Sequence, residues 1–264
     1  MASCSVVGMG VCELAIRDAI KGRREDSLDR ALKTLLTDSI SVQRRARDSL
    51  GLLLVEIVLV AGLFVADVYH HILFSKTPYL FLLGWASLRL RGMRWKDVGF
   101  ARPKSWGKAF GVGISVGMAM ELFELLISQP LLARWIGKMP DLSDFADLVG
   151  NLKLLLIYLA LVWVLGALGE ELVYRGYLMN RAAGLFRSPK VAWTVSMVVV
   201  SVAFGCAHID QGSTGMVENI LDGLILGGLY LACGRNLAVP VIAHAFADTL
   251  DFLLIYWGRY PGMH

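Results

Sequence analysis

The chain has 264 residues, 56% of them hydrophobic and 18% charged, with a mean hydropathy of +0.59. Soluble domains are about 45–50% apolar and about 25% charged, so this composition excludes an ordinary soluble domain and points to several membrane spans. The net charge of +4 is not a sign of nucleic-acid binding, because Lys and Arg lie between the apolar runs, where the positive-inside rule puts them.

Residues 1–50 are expected to be a polar, mostly cytoplasmic segment. Leu28, Ala31, Leu32, Leu35 and Leu36 recur at helical spacing and predict a short amphipathic helix. The segment lacks a basic start, an apolar core and a small-residue cleavage site, so no signal peptide is expected. Arg44, Arg45 and Arg47 precede a first span, Gly51 to Tyr69, which contains Glu56 and Asp67. A second apolar run, Thr77 to Leu90, is short for a crossing, which takes about 20 residues. Arg89, Arg91, Arg94 and Lys96 close it on the expected cytoplasmic side, so residues 51–105 are N-terminal spans plus a connection.

Residues 106–260 form the second membrane region. A third span, Trp106 to about Ile127, carries Gly107, Gly111, Gly113 and Gly117, two interleaved small-xxx-small pairs suited to close helix packing. Glu121 and Glu124 share one face of it, as an inward polar patch or as part of a proton pathway. Gln129 to Asn151, with Pro130 and Pro140, is expected to be a long extramembrane or interfacial loop. A fourth span starts at Leu152 and is expected to run to about residue 186, which puts Glu170 near its middle. The fifth, sixth and seventh spans are Val191–His208, Met216–Cys233 and Leu237–Trp257, with Gly223 and Gly227 as a further packing pair. The fold class is an all-α, polytopic transmembrane helix bundle, integral to a membrane and to the cell (inner) membrane if the source is prokaryotic. Cys4, Cys12, Cys206 and Cys233 form no CxxC, and neither a disulfide framework nor a cysteine zinc site is expected.

Ionisable residues inside apolar spans are costly and are functional candidates by default. Glu170 and Glu171 stand side by side on the fourth span, about 100° apart on a helix, so they need not do the same job. Glu171 and Arg175 are four apart and so are Glu170 and Tyr174. One division pairs Arg175 with Glu171 and leaves Glu170 to a polar cavity; the other makes both glutamates structural. Phe204-Gly205-Cys206-Ala207-His208 ends the fifth span, and His244 and Asp248, again four apart, lie in the seventh. The economical arrangement is one shared water-filled cavity inside the bundle. Two chemistries fit it. In the first, His208, His244 and Asp248 with Glu170 hold zinc and an open water position. In the second, without metal, Glu170 and His208 activate a water while His244 and its neighbour stabilise an oxyanion. No HExxH and no G-x-S-x-G elbow occurs.

Glu170-Glu171-x-x-x-Arg175, Phe204-x-x-x-His208 and His244-x-x-x-Asp248 resemble, in order and placement, the three signature motifs of the CPBP family (CAAX protease and bacteriocin-processing, also called Abi) of intramembrane proteases. The resemblance covers about residues 107–257. It implies a bundle of about eight helices and a glutamate-activated water that hydrolyses a peptide bond of a membrane-associated peptide or protein. By motif position Glu170 is the base, His208 its partner, and His244 with Asp248 the remaining catalytic groups. Glu171, Arg175, Tyr174 and Phe204 are supporting residues. The metal question stays open between zinc and none. A non-catalytic immunity or binding protein of the same fold is the alternative function, and a proton-coupled transporter using Glu56, Glu121 and Glu124 a third.

Overall fold

The structure is a computed structural model that describes residues 50–73 and 75–262. The helix expected over Leu28 to Leu36 and the basic flank at Arg44 to Arg47 lie outside the described residues. The described residues from 53 onward make up one compact unit, which contains every candidate site residue.

Among the described residues seven helical rods follow one another: α1 (Leu50–Val68), α2 (Lys76–Leu90), α3 (Trp106–Ile136), α4 (Leu152–Ala183), α5 (Pro189–Cys206), α6 (Gly212–Ala232) and α7 (Ala238–Tyr256). No strand occurs among the described residues. All but α2 are long and apolar enough to cross a membrane. The 15 residues of α2 reach only ~22 Å at ~1.5 Å per residue, short of a ~30 Å hydrocarbon core. Large apolar side chains also face outward, among them Val58, Leu126, Val164 and Val199. A soluble bundle would carry polar residues there. The protein is an integral, multi-pass membrane protein.

The helix starts are marked locally. The Ser105 hydroxyl accepts the Lys108 N–H at 3.4 Å ahead of α3, and Asn151 Oδ1 accepts the Leu154 N–H at 3.2 Å ahead of α4. Pro189 opens α5, where its missing N–H costs nothing.

α3 corrects one expectation. It does not end before Gln129 but continues through Pro130 to Ile136, leaving only residues 137–151 as a connection. A π-helical turn at Glu124–Ser128 precedes the proline. Such a turn shifts the backbone bonding from i−4 to i−5 and lets a residue without an N–H stay in the rod.

The glycine pairs of α3 divide. A Cβ on Gly113 would lie 2.6 Å from Ile242, and one on Gly117 2.4 Å from the Ala243 carbonyl oxygen, so these two set the α3–α7 contact. Gly107 and Gly111 have nothing within 4 Å and do not pack as a pair. Gly205 presses on Ile220 and the Met216 carbonyl, Gly223 on Ser201 and Gly227 on Met197, which draws α5 and α6 together.

Two buried ion clusters tie the N-terminal helices to the rest. Glu56 takes Arg91 Nη1 at 2.5 Å and Arg181 Nε at 3.0 Å. Arg91 is therefore turned inward (1% exposed) instead of closing α2 at the membrane surface. Lys76 Nζ donates to Asp67 Oδ2 at 2.6 Å and to the Ala207 carbonyl at 2.9 Å, pinning the residue beside His208.

Candidate active site

Glu170 and Glu171 lie near the middle of the 32-residue α4, at the junction of two π-helical segments, Val162–Glu170 and Leu172–Leu178. Widened turns of this kind recur at functional sites. Gly169 lets α2 approach just here: a Cβ on it would be 3.0 Å from Thr77 Cγ2. The long α4 also brings Glu170 to the depth of His208, just past the end of α5; the two line one cavity.

The two glutamates do face different surroundings. Glu171 is fully buried, and its Oε1 accepts from Arg175 Nη1 at 2.6 Å and from His244 Nδ1 at 3.0 Å. Arg175 also donates to the Gly223 carbonyl at 3.2 Å and lies over the Phe204 ring, 4.8 Å from its centroid. Glu171 thus joins α4 to α7 and fixes the imidazole of His244 with a proton on Nδ1. The other nitrogen, Nε2, is held less closely, 3.5 Å from Asp248 Oδ2 and 4.0 Å from Glu170 Oε2.

His208 is oriented by its own turn. Its Nδ1 lies 2.9 Å from the Phe204 carbonyl oxygen, which can only accept, so Nδ1 carries the proton and Nε2 keeps a free lone pair. Phe204 is 1% exposed and is the hub of the site: its ring makes edge contacts with Tyr174 at 4.9 Å, His208 at 4.9 Å and His244 at 5.9 Å. Tyr174 is buried between Phe64 and Phe204, a packing position.

Glu170, His208, His244 and Asp248 share a cavity of about 270 Å³. Its lining also includes Leu142, Phe145, Val162, Phe252 and Ile255 and the carboxyl-bearing Glu124, Glu218, Asp222 and Asp251. The connection after α3 covers it: the Asp141 N–H donates to the Gln211 carbonyl at 2.9 Å, and the Thr214 hydroxyl to the Lys138 carbonyl at 2.7 Å. Outside the spans, the Ser143 N–H and hydroxyl hold the Asp141 carboxyl below its ordinary range.

The donor set does not fit a metal. Among the described residues no three His, Cys, Asp or Glu side chains are placed to hold an ion together. The Nδ1 contacts of His208 and His244 would also suit a metal-binding imidazole; what leaves the ligand set of His208, His244, Asp248 and Glu170 unassembled is that no three of these donors converge.

Two parts of the site escape sequence reasoning. The Glu171–His244 bond joins residues 73 apart and has no local signature. Glu218, Asp222 and Asp251 had one, since each is a carboxylate inside an apolar span, and Glu218 and Asp222 are four apart.

The bundle and its buried Glu, His and Asp groups define a multi-pass membrane protein with a polar cavity inside it. Residues 152–250, which hold all three motifs, match the family described as type II CAAX prenyl endopeptidase Rce1-like, and this match bears out the CPBP resemblance. An Escherichia coli protein described as an uncharacterized 24.3 kDa protein is 32% identical over 101 residues, 37% of this chain and 44% of that protein. The chain thus aligns with less than half the length of that relative. No solved structure matches it.

Proposed function

We propose that the protein is an intramembrane endopeptidase that hydrolyses a peptide bond of a membrane-associated peptide or protein with a water activated by Glu170. The observation that carries this reading is the meeting of a carboxylate, a histidine with a free Nε2 and a second histidine anchored through Nδ1 with its Nε2 near Asp248 and Glu170, from three helical segments, at one polar cavity. Glu170 takes the proton as the water oxygen attacks the scissile carbonyl carbon, while the free Nε2 of His208 accepts the water's other O–H and orients it. As an imidazolium with a proton on each ring nitrogen, held through Nδ1 by Glu171, His244 donates its Nε2–H to the oxyanion of the tetrahedral intermediate. Asp248 orients His244 from the cavity side. When the C–N bond breaks, the amine leaves with the proton stored on Glu170, and carboxylate and water site are regenerated.

The test is Glu170→Gln in the full chain, supplied with a membrane-delivered peptide. A general base contributes about 10²- to 10⁴-fold, so cleavage falls by at least about 100-fold while the protein stays folded. Undiminished cleavage in Glu170→Gln removes Glu170 as the base and with it this mechanism.

A further inference from the structure

The connection from α2 to α3, residues 91–105, carries Arg91, Arg94, Lys96, Arg102 and Lys104 against one acid, Asp97. The Asp97 carboxylate accepts the Arg94 backbone N–H at 2.8 Å. Arg89, Arg94 and Lys96 are exposed, and among the described residues none of the three forms an ion pair. Together with Trp85, Trp95 and Phe100 they line a hollow of about 280 Å³, and the Arg89 guanidinium lies over the Trp85 ring, 5.6 Å from its centroid. Trp85, Phe100 and Trp106, which opens α3, are exposed aromatic residues of the kind that sits at headgroup level. Trp95 and Phe100 also wall a second hollow, apolar and of about 510 Å³, which runs between α2 and α4 past Phe81, Leu82 and Leu168 to Thr77 and Gly169.

We propose that these two adjoining hollows hold one anionic phospholipid of the bilayer, its phosphate among Arg89, Arg94 and Lys96 and an acyl chain between α2 and α4. Guanidinium groups meet phosphate oxygens with charge-assisted N–H donors, and the Lys ammonium adds a point charge. An anionic leaflet attracts basic residues that lie just outside a span, as these do. The apolar hollow also has the length of a lipid chain. From Arg89 back to Thr77, α2 covers ~18 Å at ~1.5 Å per residue, close to the ~15 Å of hydrocarbon in one leaflet of a ~30 Å core. The far end of the chain then meets Gly169, the residue before Glu170. A hollow of similar size, about 500 Å³, between α1, α4 and α5 has nothing to select a headgroup: its charged residues, Glu56 and Arg181, pair with each other at 3.0 Å. Lipid binding of this kind requires no hydrolytic activity.

The experiment titrates the purified, delipidated full chain in a mild detergent with phosphatidylglycerol and with phosphatidylcholine of the same acyl chains, and counts bound lipid by native mass spectrometry. Three basic residues at the phosphate make the first phosphatidylglycerol bind at least about tenfold more tightly than the first phosphatidylcholine. The triple variant Arg89→Gln/Arg94→Gln/Lys96→Gln loses that preference. Leu82→Trp, at a side chain that is 60% exposed, fills the apolar hollow from its outer side; it weakens binding of both lipids and keeps the preference. Ile57→Trp, at an exposed position of the α1–α4–α5 hollow, leaves phosphatidylglycerol binding as in the wild type. Equal binding of the two lipids by the wild type, or a preference that survives the triple variant, overturns the headgroup site. Phosphatidylglycerol binding that is undiminished in Leu82→Trp, or weakened as much by Ile57→Trp, overturns the place of the chain. Displacement of phosphatidylglycerol by an equal concentration of glycerol 3-phosphate shows a site for a free phosphate ester and overturns the lipid.

Discussion

Arg175 is 2% exposed, and Glu171, fully buried, is its one carboxylate partner at hydrogen-bond distance among the described residues. In Glu171→Met the guanidinium keeps only the Gly223 carbonyl at 3.2 Å and the Phe204 face. Removing one member of a buried ion pair costs about 3–5 kcal/mol, because a charge is left without compensation in a medium that solvates it poorly. Replacing both members with apolar groups of similar volume is often close to neutral. The double variant Glu171→Met/Arg175→Met therefore regains most of the lost stability. It retains a deficit of about 1–3 kcal/mol from His244 Nδ1, which has lost its acceptor. Cleavage is not regained, since His244 is no longer held with its Nε2–H toward the cavity. Unfolding is followed by tryptophan fluorescence in mixed micelles of a mild detergent and SDS, with peptide cleavage measured on the same samples. A double variant as unstable as the single one refutes the electrostatic argument, and a double variant that cleaves at the wild-type rate refutes the positioning role of Glu171.

Gly117→Ala places a methyl 2.4 Å from the carbonyl of Ala243, the residue before His244, and is expected to cost about 1–3 kcal/mol in the same assay. Gly107→Ala, with open space around it, stays within about 0.5 kcal/mol of wild type; equal losses in the two variants would contradict the α3–α7 contact described. Lys76→Met frees the Ala207 carbonyl beside His208, so kcat falls about 10- to 100-fold with KM nearly unchanged, as small misplacements of reacting groups do. A rise in KM alone would show that Lys76 acts on substrate instead. In a background without the native cysteines, single cysteines at residues 172 to 177 resist a membrane-impermeant maleimide while one at Arg187, which is exposed, reacts. Uniform labelling beyond Gly169 would exclude the long α4.

Much of the membrane architecture is legible in the residues themselves. The spans, the long α4 and the pairing of Glu171 with Arg175 follow from hydropathy and four-residue spacing, both local properties of the chain. The π turns are not legible, because an i→i+5 bond has no residue signature. Pro130 reads as a break until the turn at Glu124–Ser128 is seen to absorb it. Gly107/Gly111 and Gly113/Gly117 are indistinguishable on paper, and only the crossing of α3 with α7 selects the second pair.

The sequence by itself determined which groups are chemically exceptional. Transfer from water to hydrocarbon is a per-residue free energy, so Glu170, His208, His244 and Asp248 stand out from their apolar spans wherever those spans lie. Which of these groups face one another, and through which atoms, was decided by tertiary structure alone. Glu171 as the anchor of His244, the Phe204 carbonyl that leaves His208 Nε2 free, and the gathering of Glu124, Glu218, Asp222 and Asp251 all depend on where helices distant in sequence cross. Those crossings are set by close packing at Gly117, Gly205 and Gly223, where a single added methyl would force the backbones apart.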